Sequence, residues 1–153
     1  MMTIDVESAA RFIAECTGWK ATNLTIQKIL YLSQVVHLGR TGERLVDTDF
    51  EAWDYGPVAP ELYRQLKGFG SKPIPEAVFW QARNISAKPA AETLREACQH
   101  LGKKSGGDLI KNTHWSGGAW AKRYIPGANV RISAEDMLDE YRNRVRRSSS
   151  QAA

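Results

Sequence analysis

The chain has little of the chemistry that staples, anchors or arms a small protein. It carries two cysteines, Cys16 and Cys98, in 153 residues, too few for a disulfide framework and too far apart for a zinc-ligand pair. That scarcity fits a reducing compartment, and a cytoplasmic location is expected. No run approaches the roughly 18 apolar residues of a membrane span. The opening MMTIDVESAARF lacks the basic region and apolar stretch of a secretory signal. His37, His100 and His114, the three histidines, show neither HxH nor HxxxH spacing, so no element offers a ready metal pair. Gly106-Gly107 and Gly117-Gly118 are isolated, without the lysine and strand of a phosphate loop. The acidic run Asp47, Asp49, Glu51, Asp54 lacks the glycine and closing glutamate of a calcium loop and reads as a solvated edge. The two thiols fall on the inward sides of helical segments, as small apolar fillers. From these residues no catalytic, cofactor or metal site is assigned, and a non-enzymatic protein is expected.

Charge of one sign is also scarce. The net charge is +4 with a pI near 9.2, and much of the excess lies in Arg142, Arg144, Arg146 and Arg147. Without that cluster the chain is near neutral, unlike a dedicated nucleic-acid binder. The cluster suits the basic end of a helix; its sharper use is contact with phosphates or an acidic partner.

What is present is a core and helical periodicity. A folded chain of this mass buries about 69 % of its extended surface, enough for one domain without staples. Val6, Ala9, Ala10, Ile13 and Thr17 mark a first helix that Gly18 stops. In LTIQKILYLSQVVHLG, the stripe Ile26, Ile29, Leu30, Ser33, Val36, His37 is widened by Leu32 and Val35, which predicts a helix through the middle of the fold, ending at Gly39. The alternation from Phe50 to Tyr55 predicts a short strand, broken by Gly56-Pro57. Pro60 opens a helix closing at Gly68 or Gly70. A further helix spans Pro89 to Leu101 with Ala91, Leu94, Cys98 and Leu101 inward. Ser105 with Asp108, and Ser133 with Asp136, are cap signatures. Asn129 to Ile132 is a second strand. The last helix passes Met137, Leu138, Tyr141 and Val145 and dissolves in SSSQAA. The expected fold is mainly α: a compact single-domain helical bundle, residues 1–146, with a small two-stranded β element near 50–55 and 129–132, and a flexible polar tail, 147–153.

Aromatics are plentiful. Five tryptophans exceed ordinary usage, and tryptophan serves both cores and interface hot spots; three of the five are expected to fill the core. His114 beside Trp115 reads first as a buried, hydrogen-bonded histidine and otherwise as a contact residue.

Three blocks occur in order: TIQKILYLSQVVHLG, FEAWDYGPVAPELYRQLK and HWSGGAW…NVRISAEDMLDEY. Together, over residues 5 to 142, they resemble the Panacea antitoxin domain, the GepA-like phage-associated family with SocA-like antitoxins. The most specific block is Ala52 to Val58, whereas Ala119 stands before Trp120 where the family pattern has proline. The resemblance implies a helical domain that neutralises a co-encoded protein toxin by direct binding, and for SocA-like members an adaptor that delivers the toxin through the ClpX unfoldase to the ClpXP protease. Trp53, Tyr55, Pro57, Val58, Tyr63, His114, Trp115 and Trp120 are the candidate toxin contacts. The alternative is a DNA-binding regulator of its own operon, using Arg142, Arg144, Arg146 and Arg147.

Overall fold

The structure is a computed structural model that describes residues 3–152. In chain order the elements are α1 (Val6–Cys16), α2 (Asn23–Thr41), β1 (Phe50–Trp53), β2 (Gly56–Val58), α3 (Pro60–Leu66), two 3₁₀ turns (Lys67–Phe69 and Glu76–Phe79), α4 (Lys88–Leu101), α5 (Gly106–Thr113), α6 (Ala119–Arg123), β3 (Val130–Ile132) and α7 (Ala134–Ala152).

Caps set several ends. The Asp5 carboxylate accepts from the Ser8 amide at 3.0 Å and opens α1. The helix closes with Gly18 N–H donating to the Glu15 carbonyl and Trp19 N–H to the Ala14 carbonyl, both at 2.9 Å. Gly18 takes a left-handed conformation there, as the sequence indicates. At the start of α7 the box is reciprocal: Asp136 N–H donates to Ser133 Oγ at 3.1 Å and Ser133 N–H to Asp136 Oδ2 at 3.3 Å.

The middle of the fold is α2, packed by α1, α4, α5, α7 and β2. Its polar side chains are buried with its apolar ones and serve neighbouring backbone. Gln34 Oε1 accepts from the amides of Leu45 and Val46 at 2.7 and 3.0 Å, and Gln27 Oε1 accepts from Ala59 N–H at 2.8 Å. Each glutamine pairs backbone that would otherwise be buried without a partner. The helix does not end at Gly39 but at Gly42. Gly39 answers to a neighbour: a Cβ there would meet the Tyr141 ring of α7 at 2.1 Å, so it marks a close helix crossing.

The sheet has three strands, in the order β2-β1-β3, all antiparallel. Gly56-Pro57 is therefore not a break. The chain turns at Asp54-Tyr55 and returns as β2, with Ala52 opposite Pro57 and Trp53 opposite Gly56. Proline is tolerated because β2 is an edge strand, where its missing N–H need not serve a ladder. Three further expectations are corrected. On α4, Leu94 is buried and Cys98 and Leu101 pack half-buried against the core as expected, but Ala90 and Thr93 are the other buried positions and Ala91 is only half-buried. The last helix runs to Ala152 instead of dissolving at Ser148. Cys16 is exposed, and α1 and α4 bring it to the same groove as half-buried Cys98. Burial, and then the neighbouring Cys16, push the Cys98 thiol well above its usual range.

Candidate functional site

The turn between β1 and β2, α3 and the start of α2 enclose an open recess of about 450 Å³. Trp53, Tyr55, Val58 and Tyr63 line it, as the sequence placed them together; Lys28, which the sequence did not single out, lines it too. The tight turn projects Tyr55 outward, 70 % exposed. Trp53 is held in place, its Nε1 donating to Glu51 Oε1 at 2.9 Å and its ring meeting Tyr63 edge-on with centroids 4.9 Å apart. Pro57 is buried, and its carbonyl accepts from Lys28 Nζ at 3.0 Å. Gly56 lets this happen: a Cβ there would lie 2.9 Å from Lys28 Cε and 3.0 Å from Thr113 Oγ1, and its φ of 113° excludes other residues without strain. Lys28 is 1 % exposed, and burial lowers its pKa to about 7.

Behind the β1 edge stands an aromatic stack. Trp120 lies between His114 (3.6 Å between centroids, 3° between planes) and Tyr124 (4.5 Å, 17°). Its Nε1 donates to the Trp53 carbonyl at 2.7 Å, and the Tyr124 hydroxyl donates to Asp54 Oδ1 at 2.6 Å. The stack thus fixes the entry of the turn that carries Tyr55. His114 is half-buried rather than buried, and its Nε2 has no hydrogen-bond partner. Burial, then the charge of Lys28, lowers its pKa and favours the neutral ring.

Other candidates lie elsewhere. Trp115 sits on the α7 side, under the Arg144 and Arg147 guanidiniums at 4.9 and 5.5 Å. The arginines do not form one free patch. Arg144 donates to Glu140, to Asn112 Oδ1 and to the Asn112 carbonyl at 2.8 to 2.9 Å, and Arg142 pairs with Asp139 at 3.0 Å. Arg146 and Arg147 are exposed. The acidic run is divided: Asp47 and Asp49 face Arg44, and Asp49 also faces Arg131. Among the described residues, no three His, Cys, Asp or Glu side chains converge as a metal site, and no helix is long and apolar enough to cross a membrane. None of the five tryptophans is fully buried, against the expectation of three core fillers: Trp19 and Trp120 pack on the core, and Trp80 is 78 % exposed.

Sequence reasoning missed two residues. Lys28 looks like an ordinary polar position of a helix until its neighbours are known. Glu140 is 1 % exposed and accepts from the Tyr31 hydroxyl at 2.6 Å, the Ala119 amide at 2.9 Å and Arg144 at 2.8 Å. The available signal for Glu140 was its place four residues after Asp136, on the inward side of α7.

A model of the family described as "Antitoxin SocA-like, Panacea domain" matches residues 26–121. That span holds α2 from Ile26 onward, the hairpin, α3 and the His114–Trp120 pair. The protein called Antitoxin SocA from Caulobacter vibrioides (strain NA1000 / CB15N) is 32 % identical over 135 residues, covering 79 % of this chain and 72 % of its own length. No solved structure matches the chain. The chain belongs to the Antitoxin SocA-like, Panacea domain family.

Proposed function

We propose that this protein is an antitoxin that acts in the cytoplasm, neutralising a co-encoded protein toxin by direct binding and making or breaking no covalent bond. The observation that carries the reading is the 32 % identity to Antitoxin SocA across 79 % of the chain. The surface suits such binding, since an aromatic recess with a protruding tyrosine is the kind of patch that supplies hot spots. Contacts are assigned to Trp53, Tyr55, Val58 and Tyr63, with Pro57, His114 and Trp120 supporting them from behind. Growth of cells expressing the neighbouring gene tests the reading. Co-expression of this chain restores growth if the protein is the antitoxin; unchanged toxicity refutes it.

As a finer proposal, the antitoxin also serves as an adaptor that presents the bound toxin to ClpXP, as the SocA-like resemblance implies. Reconstituted ClpXP then degrades the toxin faster when this protein is added. An unchanged rate removes the adaptor role and leaves the neutralising role standing.

A further inference from the structure

Lys28 is a buried amine without an anionic partner. Its Nζ donates to the Pro57 carbonyl at 3.0 Å, which uses one of the three protons of an ammonium. Among the described residues, no carboxylate lies within 4.0 Å of it. The recess it lines holds one acidic side chain, Asp54, which already accepts from the Tyr124 hydroxyl, and a second lysine, Lys67. The recess thus holds two amines against one carboxylate between apolar walls, and at about 450 Å³ it has room for side chains of a partner. A buried unpaired amine destabilises the free protein, and an incoming carboxylate would relieve that cost.

We propose that this recess receives an aspartate or glutamate of the toxin, its carboxylate pairing with Lys28 while adjoining toxin atoms pack on Trp53, Tyr55 and Tyr63. The inference rests on the antitoxin reading and adds to it the place of contact and the chemistry recognised. The unpaired Lys28 amine, which a carboxylate would recharge, argues for an acidic occupant, and the exposed Tyr55 at the rim argues for a protein surface that covers it.

Binding by this route takes up a proton. Free Lys28 titrates at about 7, so near pH 8 it is mostly neutral, and pairing with a carboxylate restores its charge. The groups facing it are His114, neutral at that pH because burial lowers its pKa, together with Asp54, Tyr55, Tyr63 and Lys67 of the recess.

Calorimetry of the full chain with its purified co-encoded toxin, near pH 8 in two buffers of different ionisation enthalpy, tests this. The wild type is expected to bind with uptake of most of one proton. Lys28→Met, which keeps the stem of the side chain and removes the amine, weakens binding about tenfold or more and abolishes the uptake. Tyr55→Ser, whose site is too exposed to affect folding, weakens binding and leaves the uptake unchanged. Wild-type binding without proton uptake overturns the proposal, as does a folded Lys28→Met variant that binds within twofold of wild type or keeps the uptake. If the wild type does not bind the toxin at all, the antitoxin reading fails and this inference fails with it.

Discussion

At the residue scale the protein depends on a few charged groups held out of water. Glu140 is the most committed, because it satisfies the Tyr31 hydroxyl of α2, the first amide of α6 and the Arg144 guanidinium together. Burial, and then Glu140, hold the Tyr31 phenol well above its usual range. Glu140→Ala leaves the arginine and two donors without their acceptor and is expected to cost about 3–5 kcal/mol, read by denaturant unfolding. Asp136 is held at about 2, first by Arg123 and also by its cap bonds to Ser133. A carboxylate whose folded pKa is depressed adds stability that is fully present above its unfolded value and is lost as pH falls. Melting curves should therefore show this contribution disappearing between about pH 4 and pH 2, and Asp136→Asn should flatten that limb. Lys28 is also depressed, from 10.5 to about 7. Between those values the unfolded chain binds the extra proton, so stability rises with pH across that window and the full penalty remains below it. Lys28→Met is expected to be at least as stable as wild type near pH 6, with the difference closing above about pH 10. A loss of stability at pH 6 would contradict the view of Lys28 as a cost carried for binding.

At the scale of elements, α2 is the frame on which the rest is hung. Its crossing with α7 is close because Gly39 has no side chain beneath the Tyr141 ring. Gly39→Ala raises intrinsic helix propensity, yet the overpacking is expected to win, with a net loss of about 1–3 kcal/mol. A rise in thermal stability would refute the packing account. The same position shows what the sequence could and could not convey. The periodicity of α2, the Gly18 stop and the Ser133 box were legible because their causes are local. Gly39 looked like a helix end because local chemistry cannot distinguish a stop from a close approach by a helix a hundred residues away. Pro57 looked like a break for the same reason: whether proline ends a strand depends on which strand lies at the edge. At the site, Trp53, Tyr55, Val58 and Tyr63 were legible because one turn and one short helix carry them. The partner of Pro57 was not, since it comes from α2, 29 residues away.

For the whole molecule, the span that the family model matches holds most of the recess lining and the His114–Trp120 pair behind it, while Asn23, Leu24, Gly127, Asn129 and Tyr124 lie outside it. The end of α7 lies outside that span, and Val145 to Ser149 are exposed. Replacing the exposed Ser148 and Ser149 by alanine is expected to leave the melting temperature within about 2 °C of the unchanged chain, since exposed positions contribute little to stability; a large drop would assign the end of α7 a structural role. The central claim is that this molecule works by holding another protein. It is tested most directly by co-expressing a tagged full-length chain with the product of the adjacent gene and weighing what purifies by light scattering. A stable complex of fixed stoichiometry is predicted, and one that loosens in the Tyr55→Ser variant. The chain emerging alone, with the neighbouring product made in the same cells, would contradict the account.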